Sequence, residues 1–251
     1  MMNLFVCAVA FISEYFDSGL GMGYGTALSP ILIIMGFHPL QVIPAVLISQ
    51  FFTDVAACIS HHNYHNVNLK INSSDFKIAF AIGLISSLGV ILAVLIALRI
   101  PKWLLSSYIG ILVFCMGIFI LVTINRPVKL SWGKIFAVSF LAAFNKGISG
   151  GGYGPLIMGG QILSGVNAKN AVGITAFAEA ITCLVGFMLY LVLGRALDWR
   201  LTAWLVISAI PAVPLAAFTV QKINLNRYKK FIGIFISILG ILTFFRISSG
   251  G

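Results

Sequence analysis

Residues 21–25 read Gly-Met-Gly-Tyr-Gly and are followed by a short apolar span, 26–36. A helix rises about 1.5 Å per residue, so this span cannot cross a hydrocarbon core of about 30 Å. Residues 150–154 read Gly-Gly-Gly-Tyr-Gly and introduce a second short span, 153–165. Short spans that each follow a glycine cluster predict helices that are broken at membrane depth.

The two glycine clusters belong to a longer internal match. The second begins 129 residues after the first (150 minus 21). The match extends to Gly36 with Gly165, Thr53 with Thr182 and, at an offset of 123 (231 minus 108), residues 108–111 with 231–234. The chain is therefore predicted to consist of two homologous transmembrane repeats, residues 1–125 and 126–251, within one integral membrane domain.

The composition is that of a membrane protein, since 60% of the 251 residues are hydrophobic and only 9% are charged. A soluble domain has about 25% charged residues, so this chain lacks the polar surface that a water-facing enzyme needs. The predicted fold class is an all-α integral membrane protein with about eight to ten transmembrane segments. The apolar spans are 3–18, 26–36, 41–60, 76–98, 104–124, 134–146, 153–165, 168–193, 199–221 and 228–246.

The net charge of +10 comes mainly from basic residues in the connections between these spans. Such residues set membrane topology, so no nucleic-acid partner is expected. An odd number of crossings per repeat would invert the second repeat, and an even number would leave the repeats parallel. The distribution of basic residues among the loops favours the inverted arrangement, and the expected location is the plasma membrane.

The glycine clusters are candidates for a solute-binding site. Glycine lets a solute approach backbone N–H groups, and a helix that begins after such a turn directs its positive end at the solute. Two such turns would form an anion cradle near the middle of the membrane. Alternatively, the glycines only let helices pack closely. The candidate substrate-binding residues are Ser18, Gly21, Gly23, Gly25, Asn145, Lys146, Ser149, Gly150, Gly152 and Gly154.

Lys146 precedes the second glycine cluster at the position equivalent to Asp17. A charge inside a membrane protein is costly unless it is paired, which makes it a candidate functional residue. Lys146 either binds an anion directly or pairs with Asp17 and locks the two repeats together. A basic residue in a glycine-turn site favours an anionic solute over a cationic one.

Polar residues on two equivalent helices, 41–60 and 168–193, form a second candidate group. Gln50 aligns with Glu179, and Gln50 and Asp54 share a helix face because they are four residues apart. Burial disfavours the charged form of a carboxyl group, which suits a residue that takes up and releases a proton. Alternatively, these side chains only hydrogen-bond to a neighbouring helix. The candidate coupling or pore-lining residues are Asp17, Gln50, Thr53, Asp54, Glu179 and Thr182.

Catalytic and metal-binding motifs are not evident. His61 and His65 have a spacing that can hold zinc on a helix, but no third ligand is apparent near His61, His62 and His65. The sequence contains no P-loop, nucleophile elbow or HExxH motif, so neither an enzymatic activity, a metal nor a cofactor is expected. Glu14 and Asp17 interrupt the first apolar run, which is therefore not expected to be a cleaved signal peptide.

The glycine turn, the short span after it, a Gly-x-x-Pro step at 36–39 and a helix of small residues resemble the sulfite exporter TauE/SafE family, also called the 4-toluene sulfonate uptake permease family. Residues 150–154 through 170–175 resemble the second half of that family. The resemblance implies transport of sulfite, sulfonates or related small sulfur-containing or organic anions.

These observations predict a secondary transporter that moves a small anion by alternating access and is coupled to protons. A passive anion channel is the alternative, and a membrane-embedded metal-binding protein or enzyme built on the three histidines is a further one. The expected partners are the lipid bilayer and a small anionic solute, and a homo-oligomer is left open.

Overall fold

The computed structural model describes residues 2–123, 131–193 and 197–222, together with 234, 237, 238 and 241. Its continuous ranges contain ten α-helices and no strand, so the predicted all-α fold is confirmed. The helices are α1 (Met2–Leu20), α2 (Tyr24–Ile34), α3 (Pro39–Asn63), α4 (Ser74–Ala97), α5 (Lys102–Thr123), α6 (Trp132–Ser149), α7 (Tyr153–Leu163), α8 (Ala168–Val192), α9 (Trp199–Ala209) and α10 (Ala212–Lys222). Nearly all of the predicted span 228–246 lies outside the described residues.

Four segments of the described chain are long and apolar enough to cross a membrane: Pro39–Asn63, Ser74–Ala97, Ala168–Val192 and Trp199–Val220. Helix α4 is apolar on all sides, because Leu84, Leu88 and Leu92 are exposed on one face while Val90 and Ala93 are buried on another. A helix of this kind has protein on one side and hydrocarbon on the other. The chain is therefore a multi-pass membrane protein, whereas the total of eight to ten crossings and the repeat arrangement stay predictions.

Side-chain caps and proline explain where several helices begin and end. The side chains of Ser73 and Asp198 accept hydrogen bonds from the first turns of α4 and α9, at Phe76 N (3.1 Å) and Leu201 N (2.9 Å). The predicted span 199–221 is interrupted around Pro211, which separates α9 from α10. Proline has no backbone N–H, so a continuous helix would lose a hydrogen bond there.

The middle of the molecule is built by close helix packing. Helix α4 packs against α6 and α8, and α3 packs against α8. A Cβ atom on Gly89 of α4 would overlap the backbone carbonyl of Phe140 in α6, and one on Gly147 would lie 2.6 Å from the Cβ of Ala93. Small residues of this kind let membrane helices approach each other, and this packing holds the polar side chains described next.

Candidate functional site

Two turns interrupt the helices at the positions of the glycine clusters. Helix α1 ends at Leu20 and α2 begins at Tyr24, and the turn between them contains Gly21 (φ 66°) and Gly23 (φ 140°). Helix α6 ends at Ser149 and α7 begins at Tyr153, with Gly150 (φ 75°) and Gly152 (φ 80°) between them. Side chains with a Cβ atom rarely adopt such angles, which is why glycine occupies these positions.

The two turns lie directly against each other, backbone to backbone. A Cβ atom on Gly25 would overlap the carbonyl of Gly150, and a Cβ atom on Gly154 would overlap the carbonyl of Gly21. Across this contact, Gly152 N donates to Oγ1 of Thr26 over 2.9 Å. Close packing is thus one role of these glycines, while contact with a solute stays a prediction.

In the first turn, a carboxylate occupies the start of the short helix. Asp17 Oδ1 accepts a hydrogen bond from Tyr24 N at 3.0 Å, and its Oδ2 accepts one from Gln50 Nε2 at 3.0 Å. A negative charge at this place is stabilised by the free N–H groups and the dipole of α2. The positive N-terminal end of α2 is therefore already bound by the carboxylate of Asp17.

The second turn is held by neutral groups. Ser149 Oγ accepts a hydrogen bond from Gly151 N at 3.0 Å, and Asn145 Oδ1 accepts one from the hydroxyl of Tyr108 at 2.5 Å. Gly152, the residue before α7, makes no side-chain cap, because glycine has no side chain to offer. Ser18 and Asn145 are both buried, so the sequence-predicted polar residues of both turns face the interior.

Lys146 makes the ion pair at the centre of the molecule. Its Nζ lies 2.7 Å from Glu179 Oε1 and also donates to Gln50 Oε1, and the Lys146 side chain is only 1% exposed. Gln50 Nε2 donates to Glu179 Oε1 at 2.9 Å as well as to Asp17. The partner of Lys146 is thus Glu179 rather than Asp17, and Gln50 bridges Lys146 and Asp17.

The other predicted coupling residues lie on α1, α3 and α8, and two of them lie close to Glu179. One carboxylate oxygen each of Asp17, Asp54 and Glu179 lies within 4.8 Å of the others, and Asp54 Oδ2 is buried without a hydrogen-bond partner. Thr53 and Thr182 donate to carbonyl groups of their own helices, at 3.1 and 2.8 Å. The structure therefore brings Asp17, Gln50, Asp54 and Glu179 together at one buried centre, and Thr53 and Thr182 are buried on the same helices as Gln50 and Glu179.

Glu14 is a member of this centre that the sequence analysis missed as a site residue. Its side chain is fully buried, Oε1 accepts a hydrogen bond from Ser18 Oγ at 2.5 Å, and Oε2 has no hydrogen-bond partner. The signal was present in the sequence, because Glu14, Asp17 and Ser18 are three and four residues apart and share one face of α1.

The histidine segment is more helical than the sequence suggested. Helix α3 continues to Asn63, so His61 lies in its last turn, fully buried, with Nε2 at 2.7 Å from the carbonyl oxygen of Ser18. Nδ1 of His61 lies 3.1 Å from Nδ2 of Asn66. Among the described residues, the group of three possible metal ligands is Asp17, Asp54 and Glu179, and it includes no histidine.

A polar cavity of about 750 Å³ lies at this end of α3. It is lined by His62, Asn63, His65, Asn66, Val67, Asn68, Lys70, Asp75 and Asn170. Asn66 connects the cavity to the interior, because its side chain also donates to the carbonyl of Ala217 in α10 at 3.1 Å. The cavity is lined by the polar connection after α3 and does not include the central carboxylates.

Comparison with known proteins agrees with this architecture. A model of the family described as sulfite exporter TauE/SafE matches residues 6–243. The chain is similar to the probable membrane transporter protein YtnM of Bacillus subtilis (strain 168), with 24% identity over 262 residues that cover 97% of this chain and 83% of the relative. It is also similar to the probable membrane transporter protein ORF9 of Sinorhizobium sp, with 25% identity over 78% of this chain and 74% of the relative.

No solved structure matches the chain. The family match nevertheless extends over both glycine turns and all ten described helices except the first residues of α1. The chain therefore belongs to the sulfite exporter TauE/SafE family of membrane transporters.

Proposed function

We propose that this membrane transporter moves a small anion, such as sulfite or a sulfonate, by alternating access and in symport with protons across the plasma membrane. The observation that carries the proposal is the buried ion pair of Lys146 and Glu179. A buried charge is stable only while it has a partner. An anion can therefore pair with Lys146 only when the ion pair between Lys146 and Glu179 is broken.

Protonation of Glu179 provides this exchange. When the Glu179 carboxylate binds a proton, its charge is lost and the ammonium group of Lys146 becomes available to an anion. The centre then holds the same net charge with proton and anion bound as it holds with neither. A proton without an anion, or an anion without a proton, would change the charge of the buried centre, and this difference couples the two solutes.

The second turn supplies further contacts for the anion in this proposal. Lys146 lies in the last turn of α6, just before the start of α7. Gly151 N and Gly152 N already donate to Ser149 Oγ and Thr26 Oγ1, so the turn contributes mainly the positive dipole end of α7, which favours an anion. We therefore assign the anion mainly to Asn145, Lys146, Ser149 and the turn around Gly152, and the first turn to support.

The reciprocal contact between the turns supports alternating access. Gly25 meets Gly150, and Gly154 meets Gly21. At the offset of 129 residues, Gly154 is the equivalent of Gly25 and Gly150 is the equivalent of Gly21, so each contact is the counterpart of the other. Contacts in which i meets j and j meets i arise around a two-fold axis. Rocking of two related halves about this contact would expose the centre to either side in turn.

The experiment is anion flux in proteoliposomes, with sulfite and a sulfonate as probes. Lys146→Ala is expected to abolish saturable anion flux, and Lys134→Ala, an exposed lysine on the same helix, is the matched control. Glu179→Gln is expected to retain anion exchange and to lose accumulation driven by a proton gradient. Unchanged flux in Lys146→Ala contradicts the binding role, and retained proton-driven accumulation in Glu179→Gln contradicts the coupling role.

A further inference from the structure

We infer that Asp17, Asp54 and Glu179 form a binding site for a sodium ion. The three side chains come from α1, α3 and α8, and one oxygen of each lies within 4.8 Å of the other two. Each residue is at most 5% exposed. Three helices that are far apart in sequence thus bring carboxylate oxygens to a single buried point.

The centre contains an excess of buried negative charge. The chain has six acidic residues, and four of them, Glu14, Asp17, Asp54 and Glu179, are buried around this point. Lys146 is the buried lysine that the described residues place beside them, and it is paired with Glu179. Carboxylates at such short separation repel each other strongly where water is excluded, so the group requires protons or a further cation.

One carboxylate oxygen of Asp54 is buried without a hydrogen-bond partner. Asp17 and Glu179 use oxygen atoms in hydrogen bonds with Gln50, Tyr24 and Lys146, whereas Oδ2 of Asp54 has no hydrogen-bond partner. A buried polar atom without a hydrogen-bond partner is rare and costly, and a bound ion is one of its ordinary explanations. This oxygen belongs to Asp54, which is one of the three residues of the inferred site.

The ligand chemistry selects a hard cation. Oxygen ligands exclude the metals that prefer sulfur or imidazole. Because one oxygen of each residue lies within 4.8 Å of the other two, a cation held equally by all three lies at most roughly 2.8 Å from each in their plane, which is within reach for a hard cation bound by oxygen ligands. A monovalent ion can also leave again, and the C-terminal ends of broken helices, such as that of α1 beside Asp17, are sites where transporters hold sodium.

Binding of sodium does not depend on the proposed anion, whereas a role of sodium in coupling rests on the proposed function. The ion would share Glu179 with the proton, so the two cations would compete for one carboxylate. The test therefore uses purified protein without any candidate substrate, so that a failure here leaves the flux result with Lys146 unaffected.

The experiment measures the thermal midpoint of the detergent-solubilised full chain in sodium, potassium or choline chloride at equal ionic strength. A saturable rise of about 3 to 6 °C is expected at a sodium concentration tenfold above Kd, with no such rise in choline. Asp54→Asn is expected to remove the response. Asp198→Asn, at the start of α9, is the matched control and is expected to keep it, because asparagine also caps helices.

Equal midpoints in sodium and choline overturn the site, and so does a sodium response that Asp54→Asn retains. A response to calcium chloride without one to sodium overturns the assignment of the ion. Saturable binding of radioactive sodium to the unmodified protein is the second measurement if Asp54→Asn does not fold, and its absence also overturns the proposal.

Discussion

The two glycine turns have similar backbones but opposite charges. Asp17 precedes the first turn and Lys146 the second, 129 residues later (146 minus 17). Asp17 lies on the N-terminus of α2, whereas Lys146 carries a positive charge, cannot accept a hydrogen bond, and pairs with Glu179 instead. The first turn thus contains a carboxylate that binds the start of its short helix, whereas the second turn has a lysine at the equivalent position.

The largest expected effect concerns the backbone contact between the two turns. Gly25→Ala and Gly154→Ala each place a Cβ atom on the carbonyl group of the opposite turn, and backbone cannot move away as a flexible side chain can. We expect a loss of more than about 4 kcal/mol, so that little folded protein is recovered. The measurement is the yield of monodisperse protein in gel filtration, followed by its thermal midpoint.

Gly133→Ala is the matched control for the glycine substitutions. Gly133 lies at the start of α6, and nothing lies within 4 Å of a Cβ atom placed there. Alanine is the better helix former, so we expect unchanged or slightly raised stability. Normal yields of Gly25→Ala would show that the turns are not in contact, and the comparison would then lose its basis.

Much of this architecture could be predicted from the sequence, because it depends on local patterns. Apolar spans predicted the helices, and the start of α7 at Tyr153 follows from the glycine cluster before it. The break at Pro211 was not predicted because the apolar pattern continues through it. Helix α3 likewise extends to Asn63, beyond the predicted span 41–60, because a helix can continue after its apolar pattern has ended.

The next largest effect concerns the charge that distinguishes the second turn from the first. Lys146→Met leaves the buried carboxylate of Glu179 without its partner, and we expect a loss of about 3 to 5 kcal/mol. Lys146→Met combined with Glu179→Gln removes both charges and is expected to cost less than the sum of the two single changes. Thermal midpoints in detergent measure all three, with Lys134→Met as the control on the exposed face of α6.

If the double change cost the sum of the two single changes, the side chains of Lys146 and Glu179 would not stabilise each other. The ion pair would then not distinguish the second turn from the first. The result would also weaken the proposed exchange of Glu179 for an anion, since that exchange requires the two side chains to depend on each other.

The site was harder to predict than the fold because its members meet across helices. Spacing within one helix placed Gln50 and Asp54 on a shared face, but it could not show whether Lys146 meets Asp17 or Glu179. That choice depends on how α6 packs against α3 and α8. Glu14 shares a face of α1 with Asp17 and Ser18, but that spacing does not show which side chains of other helices this face meets.

The smallest effect compares two equivalent tyrosines, one at the start of each short helix. The hydroxyl of Tyr24 lies 2.7 Å from Ser49 Oγ, and that of Tyr153 lies 3.0 Å from Ser86 Oγ. Ser86 also donates to the carbonyl of Ser139 at 3.4 Å, so it keeps a partner in Tyr153→Phe. Ser49 is fully buried, and Tyr24 is the side-chain partner that the structure describes for it.

Tyr24→Phe is therefore expected to cost about 1 to 2 kcal/mol, and Tyr153→Phe about 0.5 to 1 kcal/mol, because leaving a buried hydroxyl without a partner costs more than losing one of two hydrogen bonds. Thermal midpoints should fall by about 2 to 4 °C per kcal/mol for a chain of this size. A larger loss in Tyr153→Phe would reverse the order and show that the second short helix is held more tightly than the first. Such tightness would count against the second turn as the one that opens to a solute, because a segment that has to part around a ligand is expected to be among the less stable parts of a fold.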